Sequence, residues 1–247
     1  MNLTVIGCSD AFGTGGRLQT TFHVSHTGGE FLIDCGATAL IGLAREGIDP
    51  NRIQAIFITH LHGDHFAGLV WWLIHAIHVA HRTAPLVVTG PAGLEARFIT
   101  AAEALFPGAT TTPRTFELTF LSYRERELLH VGGVTVKPFE VRHPSGAPPY
   151  ALRFSVDGRD LTFSGDTEWV ESLVDAAQGA DLFITECYGY QKDARYHLNW
   201  RTLEAALPRF NARRVLLTHM GPEMLAHSGG ISHPGVVIAH DGLKLTV

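Results

Sequence analysis

The stretch Ile56-Phe-Ile-Thr-His60-Leu-His62-Gly-Asp64-His65-Phe-Ala-Gly68 says more about the structure of this 247-residue chain than any other segment. An apolar run over Ala55–Thr59 predicts a buried strand, and three histidines and an aspartate follow it within six positions. A turn at Gly63 would bring these four side chains into one pocket. Zinc in proteins takes imidazole nitrogen and carboxylate oxygen ligands at about 2.0–2.2 Å. The stretch therefore predicts a metal site at the end of a buried strand, rather than a polar loop with chance histidines.

Three further donors follow other predicted strands, as a site for two metal ions requires. They are His143, Asp166 and His219, after the apolar runs Val134–Val141, Leu161–Ser164 and Val215–Thr218. Each stands where a strand gives way to a loop containing glycine or proline, a common position for active-site residues. We prefer His219 to the nearby His227 because it directly follows a strand, as His60 does. For each donor taken alone, an ordinary polar role in a loop is the alternative.

The rest of the chain alternates short apolar strands with helical patterns, which predicts an α/β fold. Further strands are predicted at Leu3–Ile6, Phe31–Ile33, Leu86–Thr89, Leu152–Val156 and Leu182–Thr185, and helices at Thr38–Glu46, Ala67–His81, Ala92–Phe106, Glu168–Ala177 and Asn199–Phe210. Asp157-Gly158 and Asp241-Gly242 are typical of hairpin turns and predict antiparallel pairs. No repeat or linker divides the sequence, so we expect one domain over residues 1–247, with mixed sheets covered by helices.

Composition limits the functional classes open to the chain. Its 19 basic and 24 acidic side chains give a net charge of −5, which argues against a protein that coats nucleic acid. The 15 histidines favour metal chemistry. The three scattered cysteines form no CxxC pair, and no secretory signal is visible. The most apolar stretch, Leu69–Ala80, is shorter than the roughly 20 residues of a bilayer span. We therefore expect a cytoplasmic protein without a membrane partner.

The motif His60-Leu-His62-Gly-Asp64-His65 matches the HxHxDH signature of the metallo-β-lactamase superfamily, which the chain resembles over nearly its whole length. The resemblance implies a four-layer αββα sandwich with mixed sheets and a dinuclear metal site that holds a hydroxide between the ions. It also assigns the seven donors: His60, His62 and His143 to one ion, Asp64, His65 and His219 to the other, and Asp166 as a bridge. Zinc is the expected metal, although manganese or iron would satisfy the same donors. Because many relatives are dimers, the resemblance also implies a homodimer.

Two later segments resemble the ribonuclease Z-like branch of that superfamily: Leu182-Phe-Ile-Thr-Glu186-Cys-Tyr-Gly189 and Tyr196-His197-Leu-Asn199. The resemblance implies that Glu186 orients His197, which contacts phosphate and protonates the leaving group. We count Glu186, His197 and the ligand Asp64 as catalytic residues. The chain departs from the branch beside both motif residues, at Thr185, Cys187, Tyr188, Leu198 and Asn199. In the alternative interpretation, Asn199 caps a helix and His197 is incidental.

The segment between His143 and Asp166 bears on the substrate. It has only 22 residues (144–165), whereas transfer-RNA-processing relatives insert a long arm there to grip the tRNA. With three scattered cysteines, the chain also cannot supply the extra zinc site of the cyclic phosphodiesterases of phosphonate breakdown. We therefore expect a small-molecule anionic substrate, a small or cyclic phosphodiester, and do not favour RNA. The alternative is hydrolysis of an ester, a lactone or a β-lactam on the same metal site.

Two secondary features accompany the predicted site. Asp34, at a strand end before Gly36, could accept the free N–H of a ligand histidine, or it could be a turn aspartate only. The glycine-rich loop Cys8–Arg17 could cradle an anion with its backbone N–H groups and Arg17, or it could be a plain turn.

Overall fold

Two facing β-sheets carry the fold in the computed structural model, which describes residues 1–247. The strands are β1 (Asn2–Gly7), β2 (Thr21–His26), β3 (Gly29–Ile33), β4 (Ile53–Phe57), β5 (Leu86–Gly90), β6 (Leu118–Ser122), β7 (Leu129–Val131), β8 (Val134–Glu140), β9 (Tyr150–Val156), β10 (Arg159–Phe163), β11 (Leu182–Glu186), β12 (Val215–Thr218), β13 (Val236–Ile238) and β14 (Lys244–Thr246). The first sheet has the order β14-β1-β2-β3-β4-β5-β6 and the second β13-β12-β11-β10-β9-β8-β7. Each sheet contains three antiparallel and three parallel pairings, so both are mixed as predicted.

Helices cover the outer face of each sheet. They are α1 (Ala39–Arg45), α2 (Gly63–Phe66), α3 (Gly68–His78), α4 (Leu94–Leu105), α5 (Ser172–Ala177), α6 (Trp200–Phe210) and α7 (Pro222–His227). Apolar side chains of α1, α3 and α4 pack on the first sheet, and those of α5, α6 and α7 on the second. The longest helix, α4, has 12 residues, and none has the length and apolar character needed to cross a membrane. The chain therefore forms the predicted four-layer αββα sandwich.

Aromatic side chains from both sheets fill the space between them. Phe154 of β9 stacks on Phe31 of β3 with ring centroids 5.5 Å apart, and it meets Phe57 of β4 edge-on at 5.1 Å. Phe22 of β2 makes a similar edge contact with Phe163 of β10 at 5.1 Å. All five rings are buried, and contacts of this kind hold the sheets face to face.

The Asp241-Gly242 turn does not connect a hairpin, so that prediction was wrong. Strand β13 before the turn pairs with β12 in the second sheet, whereas β14 after it pairs with β1 in the first. The Asp241 carboxylate accepts hydrogen bonds from the backbone N–H groups of Cys8 (3.2 Å) and Leu18 (2.8 Å), which fix this crossover. The bend itself was predicted correctly, since Gly242 has a left-handed φ of 81°. The other predicted turn, Asp157-Gly158, does join the antiparallel strands β9 and β10.

The observed ends of two other elements also differ from the predicted ones, each because of a local hydrogen bond. The strand before the metal-binding motif ends at Phe57 rather than at Thr59, because the Thr59 N–H donates to Asp34 Oδ1 at 2.7 Å. The helix predicted from Glu168 begins only at Ser172, because the Glu168 N–H donates to the Arg142 carbonyl at 3.1 Å. The elements that were not predicted are mostly short: β2, β6, β7, β13, β14, α2 and α7.

Candidate metal centre and active site

The predicted site residues gather at one edge of the sandwich, where strands of both sheets end. Asp34 and His60 follow β3 and β4 of the first sheet, whose parallel pairing sends both chains toward this edge. The site residues from the second sheet stand at the ends of four strands that run in a common direction. They are His143 after β8, Asp166 after β10, Glu186 at the end of β11, and His219 after β12. The carboxyl ends of such strands are where α/β folds commonly place their ligands.

The HxHxDH motif bends by means of a short helix. His60 follows β4, and His62 is an extended residue that precedes helix α2, which carries Asp64 and His65 in its first turn. Gly63 is not in the left-handed region, and a Cβ there would meet only the Ala67 side chain, at 3.8 Å. The predicted convergence of the motif is therefore produced by the helix, and not by a conformation that only glycine can adopt.

Seven donor side chains form two adjoining clusters. Within each cluster the candidate ligand atoms lie within 4.8 Å of one another: His60, His62 and His143 in the first, and Asp64, His65, Asp166 and His219 in the second. Asp166 lies between the clusters. Its Oδ2 is 3.7 Å from His143 Nε2 and 3.3 Å from His219 Nε2. The structure thus brings all seven predicted metal-binding residues together at one place.

Several buried donor atoms have no hydrogen-bond partner in the protein. Among the seven residues they are Nε2 of His60, Nε2 of His65 and Oδ1 of Asp166, which face one another, and Nδ1 of His219. A buried polar atom without a partner costs about 1–3 kcal/mol. Three such atoms facing one another, all nitrogen or carboxylate oxygen, are the donor chemistry that a divalent cation satisfies. The residues present therefore fit a metal centre.

The opposite ring nitrogens of three histidines are held by neighbouring groups, which leaves Nε2 facing the centre. His65 Nδ1 is 2.6 Å from Asp34 Oδ2, and His60 Nδ1 is 3.0 Å from the Thr59 hydroxyl. His143 Nδ1 donates to the Tyr196 carbonyl at 3.0 Å. Such outer contacts fix the tautomer and the ring orientation of metal-binding histidines. Asp34 therefore does more than occupy a turn.

Burial and charge set the protonation of the donors in the metal-free protein. Burial lowers the pKa of His143 to about 4 and also lowers that of His60, so both are neutral, the form that binds metal. Burial raises the pKa of Asp64, but the charge of His65 and the hydrogen bond from His219 outweigh it and hold that pKa well below its usual range. Burial lowers the pKa of His65, but the charges of Asp166, Asp64 and Asp34 outweigh it and raise that pKa. The metal-free centre thus combines the neutral imidazoles of His60 and His143 with an ionised Asp64 and a protonated His65, which must release its proton when metal binds.

Glu186 and His197 form a second pair beside the clusters. The buried Glu186 carboxylate is 3.1 Å from His197 Nδ1 and also accepts hydrogen bonds from the backbone N–H groups of Thr167 (2.7 Å) and Leu198 (3.2 Å). Burial lowers the pKa of His197, but the charge and hydrogen bond of Glu186 outweigh it and raise that pKa to about 9. The His197 ring centroid lies 4.9 Å from that of His143, so its free Nε2 is next to the donors.

Asn199 does cap the following helix, as the alternative interpretation held. Its side-chain oxygen accepts a hydrogen bond from the Thr202 N–H at 2.8 Å at the start of α6. This does not make His197 incidental, because His197 lines the cavity over the donors. Asn199 caps α6, and His197 faces the cavity, so one role does not replace the other.

The clusters open into a cavity of about 420 Å³. Besides the donors and His197, it is lined by Asp10, Ala11, Phe12, Tyr188, Ala194 and Arg195. The sequence analysis assigned no role to Phe12, which is 84% exposed at the mouth of the cavity, or to Arg195. No motif marks these two. Their only signal is position, because Phe12 lies within the glycine-rich loop and Arg195 lies two residues before His197.

The glycine-rich loop contributes only its first half to the cavity. Asp10 to Phe12 line it, but Arg17 points elsewhere and donates to the Ala239 carbonyl at 3.1 Å. The anion cradle considered for this loop therefore lacks its cationic residue. His227 is also remote from the donors, on α7, where its Nδ1 is 2.8 Å from the Glu223 carbonyl.

Comparison with known proteins identifies the family of the chain. The family model described as Anti-Pycsar protein Apyc1 matches residues 1–241. The chain belongs to the Anti-Pycsar protein Apyc1 family. The chain is also 26% identical to ribonuclease Z of Agathobacter rectalis, over 91% of this chain and 89% of that protein.

Solved structures show the same architecture as this Apyc1-family chain. The short form of human tRNase Z superposes with a TM-score of 0.80 and 22% identity, covering 100% of this chain and 99% of that one. The metallo-β-lactamase fold protein YhfI of Bacillus subtilis gives a TM-score of 0.78 and 20% identity, covering 99% and 98%. The predicted metallo-β-lactamase fold, the ribonuclease Z-like character and the class of metal-dependent hydrolase are confirmed.

The segment from which the substrate was inferred forms regular structure. Residues 144–165 of this Apyc1-family chain include β9, the Asp157-Gly158 turn and β10, which belong to the second sheet. No extended arm leaves the sandwich at this point.

Proposed function

We propose that this Apyc1-family chain hydrolyses small or cyclic phosphodiesters at a dinuclear metal site, with residues 1–247 acting as one domain. The observation that carries the proposal is the position of His197. Its Nδ1 is held by a buried carboxylate, and its ring lies beside both donor clusters, 4.9 Å from His143 and 5.6 Å from His219 between centroids. Carbonyl hydrolysis on such a centre needs no phosphate-binding imidazole, whereas a phosphodiester offers His197 both a phosphate oxygen to bind and a leaving oxygen to protonate.

The proposed metal ions are zinc, and manganese or iron would suit the same donors. His60, His62 and His143 would hold one ion, Asp64, His65 and His219 the other, and Asp166 both. Two bound divalent cations would lower the pKa of a bound water toward about 7 and so supply hydroxide at neutral pH. The chain's own contribution is to fix the donors through Asp34, Thr59 and the Tyr196 carbonyl.

The side chains of the protein would bind the phosphate and protonate the leaving oxygen. With Nδ1 bonded to Glu186, protonated His197 presents its Nε2–H to the cavity, where it can bind a phosphate oxygen and then donate the proton to the leaving oxygen. Glu186 stabilises the imidazolium form, as the raised pKa of His197 indicates. Asp64 contributes as an ionised ligand whose negative charge remains next to the reacting centre.

A small substrate fits the cavity better than a large nucleic acid does. About 420 Å³ lies within the range of small-molecule sites. The net charge is −5, and residues 144–165 form sheet instead of an arm. The ribonuclease Z relative makes RNA a substrate to test, although we do not favour it.

The proposed assembly is a cytoplasmic homodimer. Apolar side chains on α1 and after α3 are exposed, including Ile41 (52%) and Val79 (66%), beside an apolar groove of about 660 Å³ lined in part by Leu40 and Ile48. An exposed apolar surface of this kind commonly pairs subunits. Light scattering should give about twice the 26.9 kDa of one chain, and Ile41→Glu should halve that mass.

Substrate profiling of the zinc-loaded protein tests the proposed function. We expect turnover of bis(p-nitrophenyl) phosphate and of cyclic phosphodiesters, with much slower turnover of lactones, of the β-lactam nitrocefin and of structured RNA. Faster turnover of lactones or nitrocefin than of every phosphodiester would assign the site to the alternative carbonyl chemistry.

A further inference from the structure

The ring of Tyr188 lies against the ring of His197 at the wall of the cavity. Their centroids are 4.9 Å apart and their planes differ by 27°. On its edge, His197 is held through Nδ1 by Glu186 at 3.1 Å. A hydrogen bond to one ring atom sets the position of that atom but leaves the ring plane free to tilt. The direction in which Nε2 points therefore depends on the rings that lie along the imidazole, of which Tyr188 is nearer than His219, whose centroid is 5.6 Å away at an angle of 16°.

Tyr188 is itself fixed by the end of the neighbouring strand β12 and by the segment that follows it. The backbone carbonyl of Tyr188 accepts a hydrogen bond from the Gly221 N–H at 3.0 Å. A Cβ at position 221 would lie 2.9–3.0 Å from three atoms of the Tyr188 ring, so the ring packs directly on the glycine backbone. The preceding Cys187 N–H donates to the Thr218 carbonyl at 2.9 Å. The ring therefore stands as a rigid wall between Gly221 and His197.

The contact with His197 is made by the ring and not by the hydroxyl. The Tyr188 hydroxyl forms no hydrogen bond with another residue of the chain, while its ring is stacked. A phenylalanine would keep the whole stacked surface, and a leucine would keep apolar volume without the flat face. These two substitutions separate the ring from the hydroxyl.

We infer that Tyr188 is a positioning residue that holds the plane of His197 so that Nε2 faces the leaving oxygen. The inference rests on the proposed function, in which His197 is the general acid. If the acid is tilted away from the leaving oxygen, the reaction slows, and it slows more when departure of the leaving group depends more strongly on protonation. Loss of the Tyr188 ring should therefore lower kcat clearly for a substrate with a poor leaving group such as phenolate. It should lower kcat only slightly when the leaving group is p-nitrophenolate.

The test compares diphenyl phosphate with bis(p-nitrophenyl) phosphate for the zinc-loaded wild type, Tyr188→Leu, Tyr188→Phe and His197→Ala. We expect Tyr188→Leu to lower kcat about tenfold for diphenyl phosphate and only about twofold for bis(p-nitrophenyl) phosphate, with KM nearly unchanged. Tyr188→Phe should match the wild type on both. Zinc content, measured in parallel, should be the same in all four proteins.

Each contrary result has a distinct meaning. Equal losses on the two substrates for Tyr188→Leu would indicate a merely structural defect and overturn the inference. A loss in Tyr188→Phe as large as in Tyr188→Leu would assign the role to the hydroxyl and overturn it as well. If His197→Ala loses more on diphenyl phosphate but Tyr188→Leu does not, the positioning role alone fails. If His197→Ala shows no such difference, or the wild type cleaves neither ester, the proposed function fails and the inference falls with it.

Discussion

Oδ2 of Asp34 lies 2.6 Å from Nδ1 of His65, and both side chains are fully buried. The same carboxylate accepts hydrogen bonds from the Thr59 N–H (2.7 Å) and the Thr59 hydroxyl (2.8 Å). Asp34 also has a left-handed φ of 56°, which is costly for a residue other than glycine. One strained aspartate thus joins the ends of β3 and β4 and directs His65 toward the candidate metal centre.

The first prediction follows from that contact. Asp34→Ala removes the acceptor that fixes the His65 ring, so zinc affinity should fall about 10- to 100-fold. Competition titration against a chromophoric chelator measures the change. Glu30→Gln is a matched control, because Glu30 is also a buried carboxylate bonded to a histidine, His23, at 3.0 Å, but it lies outside the donor clusters. Equal affinity in Asp34→Ala and the wild type would contradict the assigned role.

The second prediction concerns His197. Its replacement by alanine should lower kcat for bis(p-nitrophenyl) phosphate at least about tenfold, and more for poorer leaving groups, because both a phosphate contact and a proton donor are lost. Both zinc ions should be retained, since the seven proposed ligands are untouched. The exposed His227 on α7 supplies the control, and His227→Ala should behave as the wild type. Unchanged turnover in His197→Ala would exclude the acid role.

The third prediction is the pH dependence of the dyad. Burial lowers the pKa of His197, and Glu186 raises it to about 9, so the acid form is present below that pH and is lost as the pH rises through it. Bound cations would oppose this rise in the pKa. We therefore expect kcat to decline with rising pH at a midpoint between the ordinary histidine pKa of about 6.5 and about 9. Glu186→Gln removes the raising charge and should move this midpoint down by about one pH unit or more.

The control for that measurement is Glu223→Gln. Glu223 accepts a hydrogen bond from the Tyr190 N–H at 3.3 Å but does not contact His197. Its pH profile should coincide with that of the wild type. If kcat declines at the same pH in Glu186→Gln as in the wild type, with the metal content unchanged, Glu186 does not set the protonation of His197.

The fourth prediction concerns stability. Arg82 is 1% exposed and donates to five backbone carbonyls, among them those of Ile53 and Pro85 at 2.7 Å each. Arg82→Met leaves these carbonyls without a partner and should lower the free energy of unfolding by about 3 kcal/mol. Denaturant unfolding measures this. Arg124→Met, at a side chain 81% exposed, should change it by less than about 0.5 kcal/mol, and an equal effect of the two would contradict the prediction.

The donors could be predicted because each one follows a buried strand. His60 and His219 both come after uniformly apolar runs, and parallel strands bring their carboxyl ends to one edge. The support of His65 by Asp34 was also open to prediction, since Asp34 ends a strand of the same kind. Such positions depend on short runs of apolar residues, which a sequence displays directly.

Other features depend on contacts between distant residues. The Asp241-Gly242 bend was evident, but its flanking strands belong to opposite sheets and are only three residues long. Arg82 becomes buried because carbonyls of residues 50–53 and 84–85 converge on it, which no local pattern indicates. Phe12 lines the cavity only because its loop folds over the donors. Long-range packing, and not local propensity, decides these features.

The most direct test of the central claim is a zinc titration of the chelator-treated protein, with bis(p-nitrophenyl) phosphate turnover as the readout. We predict no turnover without metal, an increase with added zinc, and saturation at two equivalents per chain, as the two donor clusters require. Turnover that persists without metal, or two bound zinc ions that produce no phosphodiester hydrolysis, would contradict the account.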